Sequence, residues 1–245
     1  MERTDDTLFD GGLYCLQHRD GYRFSIDPVL LAHFVRLAKD ETVLDLGSGC
    51  GVLGLILLYR ASERIRSLTA FELQPGLAAL ARDNIILNQF QKQMKVVEGD
   101  LRDSKKKLKP ESYSTVVCNP PFYSVGCGRP SANKESEIAR HQVSCTLPDI
   151  LAAAATTVKN RGKVYLIYPA EGLGRLLALL PRQRLTAKRL QLVYSYPDSF
   201  TGARLLLLEA VKNGGEGIEV LPPFYVYNRK NGVYSEAMQQ FYDPN

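Results

Sequence analysis

The chain has 245 residues, of which 45% are hydrophobic and 23% charged, with a formal net charge of +5. This length supports one sizeable core, and the composition excludes collagenous, low-complexity and disulfide-built chains. The mild positive charge suits a polyanionic partner but equally an ordinary basic surface.

The N-terminal stretch MERTDDTLFDGG is polar and carries no apolar signal core, and runs such as VLGLILLY are too short to span a bilayer. A cytoplasmic protein that is not embedded in a membrane is therefore expected. GYRFSIDPVLLAHFVRLA predicts a loop and then a helix from about Asp27. ETVLDLGSG (Glu41 to Gly49) reads as a strand entering a glycine loop, and CGVLGLILLYRA as the helix that follows. RSLTAFEL is a second strand, and PGLAALARDNIILNQ a helix with Pro75 in its first turn. MKVVEGD and YSTVVCNPP are the third and fourth strands. PDILAAAATTVKN is a helix opened by Pro148, with Gly162 soon after its end. GKVYLIYP is a fifth strand, and AEGLGRLLALLPR a helix stopped near Pro181. RLQLVYSYP and ARLLLLEAVK are two further strands joined by the turn-rich DSFTG.

Strand–helix alternation predicts an α/β fold with helices on both faces of a mostly parallel sheet. The short final connection predicts a hairpin, so that an antiparallel strand joins a seven-stranded sheet. One domain is expected over 1–245: an N-terminal extension and helix at 1–40, the core at 41–212, and a tail of extended structure packed on it at 213–245. Five scattered cysteines without a CxxC pair, and three histidines without ligand spacing, predict reduced thiols and no metal site.

LDLGSGCGVLG places Gly47, Gly49, Gly51 and Gly54 after a strand and into a helix. Glycines there allow a tight turn and a close approach to a ligand at the strand's carboxyl end. Gly49-x-Gly51-x-x-Gly54, with Glu72 downstream, also satisfies a dinucleotide fingerprint, so this window leaves an NAD or FAD protein open. Asp45 shifts the balance. A carboxylate at that strand end suits a ligand with an ammonium group, as S-adenosylmethionine has. Glu72 ends the second strand and can accept two ribose hydroxyls. Asp100 ends the third and can accept the adenine amino group, with Leu73 and Leu101 against the ring. The competing reading is that such acids cap the next helix.

The fourth strand ends at Asn119-Pro120-Pro121-Phe122. Two prolines remove two donors, which ends central pairing and fixes the backbone direction. A planar amino group is a poor nucleophile because its lone pair is delocalised. Two acceptors aimed at its N–H bonds hold it and favour a more tetrahedral nitrogen. The Asn119 side chain and the Pro120 carbonyl can supply them, while Phe122 stacks on a base. In isolation, the same residues also read as a plain Pro-Pro turn.

Asp45-Leu46-Gly47-Ser48-Gly49-Cys50-Gly51 together with Asn119-Pro120-Pro121-Phe122 resembles the class I, S-adenosylmethionine-dependent amino-methyltransferases. LQHRDGYRFSIDPVLLAHF and IARHQ resemble one branch, the bacterial tRNA-Val adenine N6-methyltransferases, over roughly Leu8 to Lys212. The resemblance implies a Rossmann-like class I methyltransferase fold, S-adenosylmethionine as cofactor and an adenine beside the tRNA anticodon as acceptor. It also implies that Phe24, Ser25 and Asp27 lie near the cofactor. YSVGCGRPSANKESEIARHQ is glycine-rich and basic, and Arg129, Lys134 and Arg140 are candidates for touching RNA phosphates. A monomer that binds RNA, and neither metal nor membrane, is expected. Methylation of rRNA, DNA or a protein glutamine, and a non-catalytic RNA-binding module, are the rival readings.

Overall fold

The computed structural model describes residues 3–18, 25–120, 145–198 and 201–242. Strands β1 (Arg3–Leu8) and β2 (Leu13–His18) form an antiparallel hairpin, followed by α1 (Asp27–Phe34). The alternating part runs β3 (Glu41–Leu46), α2 (Val52–Ala61), β4 (Ile65–Glu72), α3 (Pro75–Leu87), β5 (Met94–Glu98), α4 (Ser104–Lys107) and β6 (Tyr113–Cys118). It continues with α5 (Leu147–Thr157), β7 (Val158–Pro169), α6 (Leu173–Leu179), β8 (Leu185–Tyr194) and β9 (Leu205–Lys212). Short β10 (Glu219–Val220), β11 (Phe224–Tyr225) and α7 (Glu236–Gln239) complete the described chain.

The main sheet has the order β10-β8-β9-β7-β6-β3-β4-β5, with β11 also on β8. The seven expected strands are all present, and β9 is the antiparallel one, pairing with both β7 and β8. Two features extend that expectation. The tail adds β10 and β11 to the free edge of β8, and the polar N-terminus forms a hairpin of its own. Lys105, Lys106 and Lys107 lie in the short α4 between β5 and β6.

Burial explains the sequence patterns. β3 lies between β4 and β6 and is covered on both faces, so Val43, Leu44 and Leu46 form an almost unbroken apolar run. Residues Val52 to Leu58 of α2 are all buried, which accounts for a helix with no polar face in that stretch. α5 starts at a capping box. Thr146 Oγ1 accepts from the Asp149 N–H, and Asp149 Oδ2 accepts from the Thr146 N–H at 2.9 Å. The tail packs on α1, where Phe241 stacks on His33 at 3.9 Å between centroids and on Phe224 at 5.1 Å.

A buried ion pair lies within this sheet. Arg189 of β8 and Glu209 of β9 pair at 2.8 Å and are 8% and 6% exposed. The Arg189 guanidinium also sits 4.4 Å from the Phe34 ring centroid. Removing one member of such a pair strands the other charge. Glu209→Ala is expected to destabilise the fold by about 3–5 kcal/mol in chemical denaturation, whereas an apolar replacement of both residues is expected to be near neutral. A Glu209→Ala protein as stable as the wild type would contradict the burial of Arg189.

Candidate active site

Parallel register fixes the site. Asp45 of β3 lies opposite Ala70 of β4 and Val117 of β6. Asn119 therefore follows two residues beyond the point that faces Asp45, and Glu72 ends β4 just past Phe71, which faces Leu46. All three belong to the carboxyl ends of adjacent strands, where open α/β sheets hold ligands. One crevice is lined by Asp45, Gly47, Gly49, Glu72, Leu73, Leu101 and Asn119 together.

The loop between β3 and α2 is shaped by three left-handed glycines, with φ of 72° at Gly47, 57° at Gly49 and 86° at Gly51. Gly47 and Ser48 donate their N–H groups to the Phe71 carbonyl at 2.8 and 3.1 Å. Glu72 then joins two turns: Oε2 accepts from the Gly49 N–H and Oε1 from the Gln74 N–H, each at 2.8 Å. Each oxygen retains a lone pair for a further donor. Burial pushes the Glu72 carboxyl up, and the backbone donors from Gln74, Gly49 and Leu73 offset part of that rise.

Asp45 is more exposed to cost. It is 1% solvent-exposed, and its Oδ2 has no hydrogen-bond partner among the described residues. Burial raises its pKa to about 7, a backbone bond from Gly54 opposes the shift, and the negative charge of Glu72 adds to it. The Ser48 hydroxyl is likewise buried without a partner among those residues. A buried carboxylate oxygen and a hydroxyl left open beside one crevice fit a ligand that brings a cationic donor group.

The other expected residues are placed as follows. Asp100 does not line the crevice. Its carboxylate caps the turn that follows β5, accepting from the Arg102 N–H at 2.9 Å, and it pairs with the Arg102 guanidinium. That pairing holds its carboxyl below the usual range. The capping alternative thus describes its present contacts. Gly51 opens α2 and does not line the crevice, and a Cβ at this position would press on Ala81 and Met94. Ser25 Oγ accepts from the Asp27 N–H at 3.2 Å, and the Asp27 carboxyl is raised by burial. Neither of these lines the crevice, but the adjoining Pro28 does. Pro120 is buried after Asn119. Phe24, Pro121, Phe122, Arg129, Lys134 and Arg140 lie outside the described residues.

Several lining residues were not singled out as ligand contacts: Pro28, Ser48, Cys50, Val52, Leu53, Leu77 and Cys145. Leu77 carried a usable signal, since it lies in the first turn of the helix after Glu72. Cys145 carried none, because nothing local in the sequence relates it to the glycine loop. Among the described residues, no group of three or more His, Cys, Asp or Glu could hold a metal ion. Among them too, no helix is long and apolar enough to cross a membrane.

Residues 25–169 match the methyltransferase small domain family. A tRNA1(Val) (adenine(37)-N6)-methyltransferase of Shewanella loihica is 28% identical over 230 residues, covering 91% of this chain and 93% of that relative. The protein of the same name from Shewanella sp. strain MR-4 is 30% identical over 190 residues, or 77% of this chain and 78% of its own. A solved structure described as a predicted O-methyltransferase of Agrobacterium tumefaciens covers 88% of this chain and 95% of its own. Its TM-score is 0.70 at 19% identity, so it shares the fold.

The Asp45 environment has a measurable consequence. A carboxyl raised on folding gives stability that is complete below its unfolded pKa, near 4, and is lost as pH rises through about 7. Glu72, raised as well, acts in the same direction. Urea midpoints taken at about pH 5 and about pH 8 are expected to fall more steeply for the wild type than for Asp45→Asn. Equal pH dependence in the two proteins would exclude this burial effect.

Proposed function

We propose that this chain, which belongs to the methyltransferase small domain family in the branch of the tRNA1(Val) (adenine(37)-N6)-methyltransferases, transfers a methyl group from S-adenosylmethionine to N6 of an adenine in tRNA. The observation that carries the reading is the crevice that Asp45, the glycine loop, Glu72 and Asn119 share. A cofactor pocket and an amide that can hold an amino group face the same space.

S-adenosylmethionine supplies an activated methyl group on a sulfonium centre. Asp45 holds its ammonium group, which restores the charge that burial suppresses. Glu72 accepts the ribose hydroxyls with the lone pairs left free by Gly49 and Gln74. Leu73 and Leu101 bound the adenine ring on its apolar faces. In this reading Asp100 exchanges part of its contact with Arg102 for the adenine amino group.

Asn119 and the Pro120 carbonyl accept the two N–H bonds of the target amine. This removes the amine from conjugation with the base and points its lone pair into the crevice. The work is done by alignment and by fixed dipoles, so no strong base is needed to start the transfer. The proton is released afterwards from a nitrogen made acidic by its fourth bond. Phe122 stacks on the displaced base, Pro121 locks the corner, and Arg129, Lys134 and Arg140 contact phosphates. Phe24, Ser25 and Asp27 lie near the cofactor, next to Pro28 of the crevice wall. We place the reaction in the cytoplasm and assign it to the monomer, acting on an adenine beside the anticodon.

Asn119→Ala is expected to lower transfer at least about a hundredfold while cofactor affinity stays within about twofold. Labelled cofactor, separated nucleic-acid and protein pools, and nucleoside mass spectrometry of tRNA provide the readout. Full turnover by that variant would refute the role of Asn119. Label in rRNA, DNA or protein instead of tRNA would reassign the acceptor.

A further inference from the structure

Asn84 lies on α3, is 0% exposed and is not among the residues that line the crevice. Its Oδ1 accepts from the Leu16 N–H at 2.6 Å. Its Nδ2 donates to the Leu16 carbonyl at 3.1 Å and to the Cys50 carbonyl at 3.0 Å. One turn later, Asn88 repeats part of this pattern on the same strand. Its Oδ1 accepts from the Tyr14 N–H at 2.9 Å, and its Nδ2 donates to the Tyr14 carbonyl at 2.8 Å.

The spacings match. Four helical residues rise about 6 Å, and two strand residues advance about 6.8 Å. α3 thus offers β2 two side-chain amides where another strand would offer two peptides. The two asparagines differ in one respect: Asn84 also reaches the glycine loop. Cys50 lies between Gly49, whose N–H binds Glu72, and Gly51, whose left-handed backbone opens α2. Glycine peptides have wide rotational freedom, so a loop with three of them needs an external anchor to keep its groups aimed at a ligand.

We propose that Asn84 is a positioning residue for cofactor binding. By holding the Cys50 carbonyl it sets the peptides on both sides of Cys50, and it makes their placement depend on the docked β1–β2 hairpin. The inference rests on the methyltransferase reading above. It assigns Asn84 an effect on cofactor affinity and none on the methyl-transfer step, because Asn119 is held by β6 and not by this loop.

The test compares Asn84→Ala with Asn88→Ala, using calorimetric titration of S-adenosylhomocysteine and steady-state kinetics. Both variants lose a pair of bonds to β2, and only the first loses the bond to the loop. Asn84→Ala is expected to raise Kd roughly tenfold and KM for the cofactor in proportion, with kcat little changed. Asn88→Ala is expected to leave Kd within about twofold, although both lower the melting temperature. Equal effects on Kd, or an unchanged Kd in Asn84→Ala, would overturn the proposal. If Asn84→Ala does not fold, Asn84→Asp is read in its place: it keeps the volume and the acceptor for Leu16 and removes the amide donors. A wild-type protein that binds no S-adenosylhomocysteine would overturn the functional reading itself, and with it this inference, so that failure is distinct from one confined to the variants.

Discussion

An aspartate with one buried oxygen left unpartnered is costly, and the site is organised around that cost. Asp45 cannot relax into solvent, because β3 is central in the sheet and its carboxyl end is closed over by the glycine loop. Nor can Glu72 swing away from it, since the two Glu72 oxygens accept from the Gly49 and Gln74 N–H groups. Two acids close together in a dry crevice make a strong preference for a cationic ligand before any ligand arrives. The strain is tolerable because the surrounding sheet is over-determined by continuous parallel pairing on both sides of β3.

In the proposed reaction, binding and chemistry draw on different strands. Asp45, the glycine loop and Glu72 belong to β3, β4 and their loops, while Asn119 directly follows β6. The two halves meet through register and through the bond from the Cys118 thiol to the Leu46 carbonyl at 3.1 Å. A shift of one residue between β3 and β6 would turn Val117 and Asp45 to different levels and would remove Asn119 from the crevice. In the proposed reaction, the placement of Asn119 against Asp45 is therefore set chiefly by the backbone ladder.

Much of this was legible in the sequence. The strand and helix order from Glu41 to Lys212 follows from apolar periodicity, and the antiparallel strand from the shortness of DSFTG. Asp45, Gly47, Gly49, Glu72 and Asn119 stand out because carboxylates, glycines and an amide at strand ends have few other uses together. The misses have physical causes. RTDDTL contains almost no apolar residues, and the hairpin it forms is docked by side chains of α3 about seventy residues away. Asp100 has a local partner in Arg102 two residues on, a contact that its place at a strand end does not announce. The tail's strands are two residues long and owe their place to β8 rather than to their own pattern.

β9 follows β8 in the chain but lies between β8 and β7. Every described residue of the crevice leaves the ribosome before β9 is made, so that half of the sheet can assemble while β7 still presents a bare edge. Until β9 docks, the nascent chain carries a template for pairing with other chains. The last long strand therefore works as a stopper: a product cut short before Leu205 keeps the pocket's sequence yet ends as an unsealed sheet, open to aggregation and to cellular quality control.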